Sequence, residues 1–69
     1  MNEQEYKIKG WVARDENNLL CVYTSRPHYD ENLHMWENSE DWFEIDENYF
    51  PEVQYYSEPI EVELTIKKI

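Results

Sequence analysis

Tyr6-Lys7-Ile8-Lys9-Gly10-Trp11-Val12-Ala13-Arg14 is the stretch that decides the fold. Its period-two alternation turns Ile8, Gly10 and Val12 one way and Lys7, Lys9 and Trp11 the other, the pattern of a β-strand with two unlike faces. Near the far end Ile60, Val62, Leu64 and Ile66 alternate with Glu61, Glu63, Thr65 and Lys67, which marks a half-buried strand. Laid antiparallel, the two strands match charge with charge when Glu61 faces Lys9 and Glu63 faces Lys7. Val62 then faces Ile8, and Leu64 faces Tyr6. Such cross-strand pairs contribute ~0.2 to 1 kcal/mol each, so they select a register more than they hold the fold together.

Outward from that strand, Asp15-Glu16-Asn17-Asn18 is a turn, with asparagines that tolerate positive φ. Leu19-Leu20-Cys21-Val22-Tyr23-Thr24-Ser25 returns as the hairpin partner, and Arg26-Pro27 closes it. His28 to Asn32 reads as loop. Leu33-His34-Met35-Trp36 and Trp42-Phe43-Glu44-Ile45 read as a second hairpin around Glu37-Asn38-Ser39-Glu40-Asp41. The competing assignment is a helix capped by Ser39, which would be barely two turns long. Asp46 to Phe50 is expected to form one helical turn stopped by Pro51, and Glu52 to Glu58 is an extended connector. Pro59 opens the last strand, where its missing donor is tolerated. The expected fold is therefore mainly β (α+β at most): a small single antiparallel sheet of four to five strands, with the N- and C-terminal strands adjacent and one short helical turn near residues 46–50. Residues 1–69 are expected to make one small domain.

A chain of 69 residues buries only about 60% of the surface that its unfolded form exposes. Cys21 is its single cysteine, so no internal disulfide compensates. Aromatic side chains do, since 11 of 69 residues are Phe, Trp or Tyr and each ring buries more area than an aliphatic group. Met1-Asn2-Glu3-Gln4-Glu5 has neither the basic start nor the apolar run of a signal peptide, and no stretch reaches membrane-spanning length, so a cytoplasmic location is expected.

The charge is segregated. Through Arg26 four basic and four acidic residues cancel, but from Pro27 to Ile66 there are twelve acids and no Lys or Arg, and the net charge is -10. Such a field repels nucleic acid and anionic membranes and attracts basic surfaces, so direct nucleic-acid binding is not expected.

Three stretches carry a family likeness: Gly10-Trp11-Val12-Ala13-Arg14-Asp15 running into Leu19, Phe50-Pro51-Glu52-Val53, and Glu58-Pro59-Ile60-Glu61-Val62-Glu63-Leu64. In this order they resemble a group of small uncharacterised proteins encoded by bacteriophages and mobile elements of gut bacteria. The chain departs from that group at Asn17-Asn18, where an Asp-Gly-like pair is usual, and from Tyr29 to Asp41. The resemblance implies a genomic setting and transfers no catalytic or binding residue.

His28, Asp30, Glu31 and His34 have the side chains of metal ligands, but their spacing fits no zinc signature and no cysteine pair accompanies them; they read as a polar loop. The carboxylates read as solvated surface rather than as an acid and base pair, and Cys21 as a small buried hydrophobe. No catalytic residue, cofactor or metal is expected, and the protein is not expected to be an enzyme. Eight of the rings fall inside the acid-only segment. Trp36, Phe43, Ile45 and Phe50 are expected to form core over one face of the sheet. Trp42, Tyr55 and Tyr56, among Glu37, Glu40, Asp41, Glu44, Asp46 and Glu47, make the candidate interaction surface, because aromatic anchors inside a polar rim are how many interfaces are built. The expected function is a protein-interaction module for a partner with a basic surface, in its sharper form a nucleic-acid mimic that inhibits a host nucleic-acid-binding protein. The alternative is a structural or accessory protein that self-associates as a homo-oligomer.

Overall fold

The computed structural model describes residues 5–37 and 40–69. The first four residues of the stretch unlike a signal peptide, and the alternative helix cap at Ser39, fall outside the described residues. Six strands form: β1 (Glu5–Arg14), β2 (Leu20–Tyr23), β3 (His28–Asp30), β4 (Met35–Glu37), β5 (Trp42–Ile45) and β6 (Ile60–Lys67). Four make an antiparallel sheet in the order β5-β2-β1-β6, and β3 with β4 makes a separate two-stranded ribbon. The terminal strands are adjacent, as expected from the alternation at the far end of the chain, and β1 lies between β2 and β6. The β1–β2 turn is closed by Asn18 N donating to Asp15 O at 2.9 Å, with Asn18 at φ 76°.

The β1–β6 register differs from the expected one by two residues. Lys9 stands opposite Glu63, Lys7 opposite Thr65, Ile8 opposite Leu64 and Tyr6 opposite Ile66. A slip of two keeps every side chain on its face, so the apolar pattern does not distinguish the two registers. The one adopted adds Glu5 opposite Lys67 and sets Val12 opposite Ile60. It also places Gly10 where a Cβ would lie 2.9 Å from Cγ and Cδ1 of Leu64 and 3.2 Å from Tyr23 O. The missing side chain is what lets Leu64 lean across the strand. Of the two expected ion pairs, Lys9 reaches Glu61 at 3.6 Å, while Lys7 meets Glu5 of its own strand at 3.7 Å.

The middle of the chain departs further from expectation. β4 and β5 do not pair with each other: β4 pairs with β3, in the stretch expected to be loop, and β5 pairs with the free edge of β2. The second choice is apolar matching, since it sets Leu20 opposite Ile45 and Val22 opposite Phe43. The ribbon is closed by Asp30, whose Oδ1 accepts from Asn32 N and Leu33 N and whose backbone oxygen accepts from His34 N at 2.8 Å. The fold is mainly β as expected, with an antiparallel sheet of four strands, and the two-stranded ribbon is added to it. Residues 46–50 form a tight turn rather than a helical one. Tyr49 N donates to Asp46 O at 3.1 Å and Asn48 N to Asp46 Oδ1 at 2.8 Å, with no helix among the described residues.

Each face of the sheet carries its own small core. Val12, Leu20 and Val22 pack with Val53 on one face, joined by Ile45, Phe50, Ile60, Val62 and Leu64. Ala13, Cys21 and Tyr23 pack on the other with Leu19 and Trp36. The expected aromatic core is thus divided. Phe50 and Ile45 lie on the first face and Trp36 on the second, and Phe43 is exposed. The β1–β2 strand and turn junction fastens both covers. Arg14, 4% exposed, donates from Nε to Val53 O at 2.6 Å, from Nη1 to Glu47 O at 3.0 Å, and from Nη2 to Tyr49 O and Phe50 O at 3.1 Å each. Asp15, 6% exposed, accepts from Trp36 N at 2.9 Å and so ties down the ribbon.

Candidate interaction surface

The second face of the sheet positions the site. Residues 21 and 23 alternate with buried Val22, so Cys21 and Tyr23 point away from the first core and toward the ribbon. Trp42, paired with Tyr23 on the neighbouring strand, shares their side of the sheet. Between these groups and Met35, Trp36 and Glu37 of β4 lies an open cleft of about 480 Å³, with His28 and Asp15 in its wall. The volume lies within the range of small-ligand and side-chain pockets. On the other side of the ribbon a second open cleft of about 550 Å³ is lined by Tyr29, Trp36, Tyr55 and Tyr56 together with Glu16, Glu31 and Glu58. Trp36 is the shared wall. Its ring meets Tyr29 edge to face at 5.3 Å, and its Nε1 is buried without a hydrogen-bond partner among the described residues.

The electrostatics of both clefts favour cations. Neither is lined by Lys or Arg. Burial raises the Asp15 carboxyl above its ordinary range, opposed by the hydrogen bond from Trp36 N. Burial also pushes the Cys21 thiol up to about 11, helped by the negative charges of Asp15 and Glu44. The thiolate is the nucleophilic form, so this cysteine is a buried neutral hydrophobe. Tyr23 is likewise raised, first by burial. In the second cleft Tyr29 OH donates to Glu16 Oε2 at 2.8 Å, which pushes the phenol up to about 12. The same carboxylate oxygen meets His34 Nδ1 at 3.2 Å, and Glu58 pairs with Arg26 at 2.7 Å. Of the four metal-ligand types in the polar loop, Asp30 is spent on closing its turn and His34 on Glu16. No group of three metal-capable side chains converges among the described residues.

The nine expected surface residues do not form one patch. Glu37 and Trp42 line the first cleft, with Glu44 next along the same side of β5. Tyr55 and Tyr56 stand exposed in the second, edge to face at 5.2 Å. Glu40 and Asp41 are exposed before β5, where Asp41 O accepts from Thr24 N and Oγ1. Asp46 and Glu47 belong to the turn that Arg14 fastens on the opposite face. Trp36, Tyr23, Asp15, Glu16 and Tyr29 were not among the expected site residues. The odd-numbered alternation of β2 opposite Val22 was the available signal for Tyr23; the other four depend on the ribbon, which residue pattern did not reveal.

No protein family, curated protein or solved structure matches the chain. Residues 10–15, 50–53 and 58–64 meet at the scaffold, through Arg14 on Phe50 and Val53 and through Leu64 over Gly10. To the clefts they contribute Asp15 on one side and Glu58 on the other. No helix among the described residues is long and apolar enough to cross a membrane.

Proposed function

We propose that this protein is a non-enzymatic interaction module that takes a basic segment of a partner protein into the two clefts flanking Trp36. The observation that carries this reading is their composition: Tyr23, Trp36 and Trp42 with Asp15 and Glu37 on one side, Tyr29, Tyr55 and Tyr56 with Glu16, Glu31 and Glu58 on the other, and no Lys or Arg in the lining of either. An ammonium or guanidinium over an aromatic face gains ~0.5 to 2 kcal/mol as it is desolvated, and a carboxylate at the rim adds direction. The net charge of -10 steers basic surfaces toward the molecule over a distance set by salt. The natural partners of such a surface are proteins whose Arg and Lys groups otherwise grip phosphates, so the module acts as a nucleic-acid mimic in the cytoplasm, in keeping with a phage or mobile-element setting.

Titration with an arginine-rich peptide, followed by tryptophan fluorescence, tests this reading. Binding is expected at low salt, weaker at high salt, with Trp42→Ala and Glu37→Lys each lowering affinity about tenfold while Glu52→Lys, outside both clefts, lowers it less. A nucleic-acid-binding partner held by the module should be released by competing DNA. Binding that is equal for arginine-rich and neutral peptides, or untouched by both cleft substitutions, would refute it.

A further inference from the structure

β6 is the outer strand of the sheet, and β1 is its only strand neighbour among the described residues. Eight residues, Ile60 to Lys67, therefore present one edge of backbone N–H and C=O groups with no ladder partner. Such edges are templates for further pairing unless side chains forbid it. β1 pairs with β2 only from Trp11 onward, so its residues 5–10 pair with β6 alone and the two make a two-stranded arm. There Tyr6 and Ile66, opposite one another on the apolar face, are 62% and 66% exposed.

We propose that β6 is a dimerisation edge, and that its occupant is β6 of a second copy, antiparallel about a two-fold axis through Leu64. The strand is its own complement when reversed. With Leu64 opposite Leu64, Glu61 meets Lys67 of the other copy twice over on the charged face. Val62 meets Ile66 twice over on the apolar face, which covers the exposed isoleucine. A shift of two in one direction sets Glu63 against Glu63. A shift in the other leaves only residues 63–67 paired within the strand, where Leu64 opposite Leu64 pairs 61–67. A shift of one puts apolar against charged positions. Charges on an edge usually guard it; here their signs fit the same sequence run backwards.

Charge distribution favours a copy on this edge despite the net charge. All four lysines of the chain, Lys7, Lys9, Lys67 and Lys68, lie on or directly beside the arm, where they outnumber Glu5, Glu61 and Glu63. The acidic bodies stand at opposite ends of the eight-stranded sheet so formed. This contact is separate from the clefts, and either can fail without the other.

Sedimentation equilibrium over micromolar to millimolar concentrations tests it. The parent chain is expected to reach twice its mass of 8.6 kDa. Lys67→Glu, which turns both attractive pairs into Glu–Glu contacts, should raise the dissociation constant about tenfold. The double variant Glu61→Lys with Lys67→Glu should restore it. A parent that stays monomeric at millimolar concentration, an unchanged constant in Lys67→Glu, or no restoration in the double variant would each overturn the proposal. Should a variant not fold, hydrogen exchange on the parent decides. Protection of β6 amides that rises with concentration supports the edge pairing, and protection independent of concentration overturns it.

Discussion

At the scale of single residues, two neighbours with opposite charges organise this protein by facing opposite ways. Arg14 meets five backbone carbonyl oxygens, those of Asn18, Glu47, Tyr49, Phe50 and Val53, and the side-chain oxygen of Asn18, with no carboxylate among them. A guanidinium has five donors in a fixed fork, and this site uses it as a multiple clamp on a loop that lacks regular structure. The clamp holds Phe50 at φ 51°, a left-handed conformation that costs a residue with a side chain about 1 to 2 kcal/mol. Asp15 fastens the other cover at the expense of its own desolvation. Its folded-state pKa is raised, so its contribution to stability is complete below the unfolded value of about 3.9 and is lost as pH rises through the folded one. Asp15→Asn keeps an oxygen for Trp36 N and removes the charge. We expect its melting temperature at neutral pH to equal or exceed that of the parent, and the gap to close as the pH is lowered and the parent carboxyl takes up its proton. Asp15→Ala, lacking the acceptor, should lose about 1 to 2 kcal/mol at low pH, or roughly 4 to 8 °C for each kcal/mol, and less at neutral pH, where the parent bears the buried charge. Thermal melts across pH decide it, and an Asn variant less stable than the parent at neutral pH would show that the charge itself is needed.

Among the elements, what was legible in the sequence was whatever rests on local alternation. β1 and β6 stand out because each alternates over its length and β2 because it is an unbroken apolar run, and the Asn-containing turn explains why the first two pair. Pairing partners in the middle of the chain were not legible, because Trp42 to Ile45 is equally good sheet material for β4 or for β2. The choice is made by the apolar partners already waiting on β2. The ribbon was hidden because three-residue strands carry no period, and with it was hidden the role of Trp36 as a wall between two clefts. The β1–β6 register escaped for a third reason, that a slip of two preserves both faces. That register makes unequal predictions for two lysines expected to be alike. Lys9 lies opposite Glu63 and within 3.6 Å of Glu61, whereas Lys7 lies opposite Thr65 and pairs with Glu5. Lys9→Glu should therefore destabilise more than Lys7→Glu, by up to about 1 kcal/mol, given that both groups are exposed. Chemical denaturation of the two variants measures the difference. Equal losses would point back to the register in which each lysine faces one glutamate.

For the whole molecule, the same charge that is suited to a basic partner works against the fold. Six Lys and Arg side chains face sixteen Asp and Glu, in a body whose shorter dimensions are 25 and 16 Å. At 0.01 M salt the screening length is about 30 Å, so carboxylates across the whole width repel one another, while at 0.1 M it is about 10 Å and only near neighbours do. Salt also weakens the attractive pairs, Lys9 with Glu61 and Arg26 with Glu58, but exposed pairs of this kind contribute only about 0 to 1 kcal/mol each. Repulsion among the surplus carboxylates outweighs that attraction, and stability should rise with salt. Binding of a basic segment should move the other way, since its attraction is screened by the same ions. Melts in increasing sodium chloride, at a fixed low protein concentration that limits dimer formation, should give a rising midpoint for the free chain. With a saturating arginine-rich peptide, the stabilisation over the free chain should be largest at low salt and shrink as salt increases. A midpoint of the free chain that falls with salt would mean that the ion pairs outweigh the surplus, and the acidic field would then be a smaller part of this protein's energetics than its net charge implies.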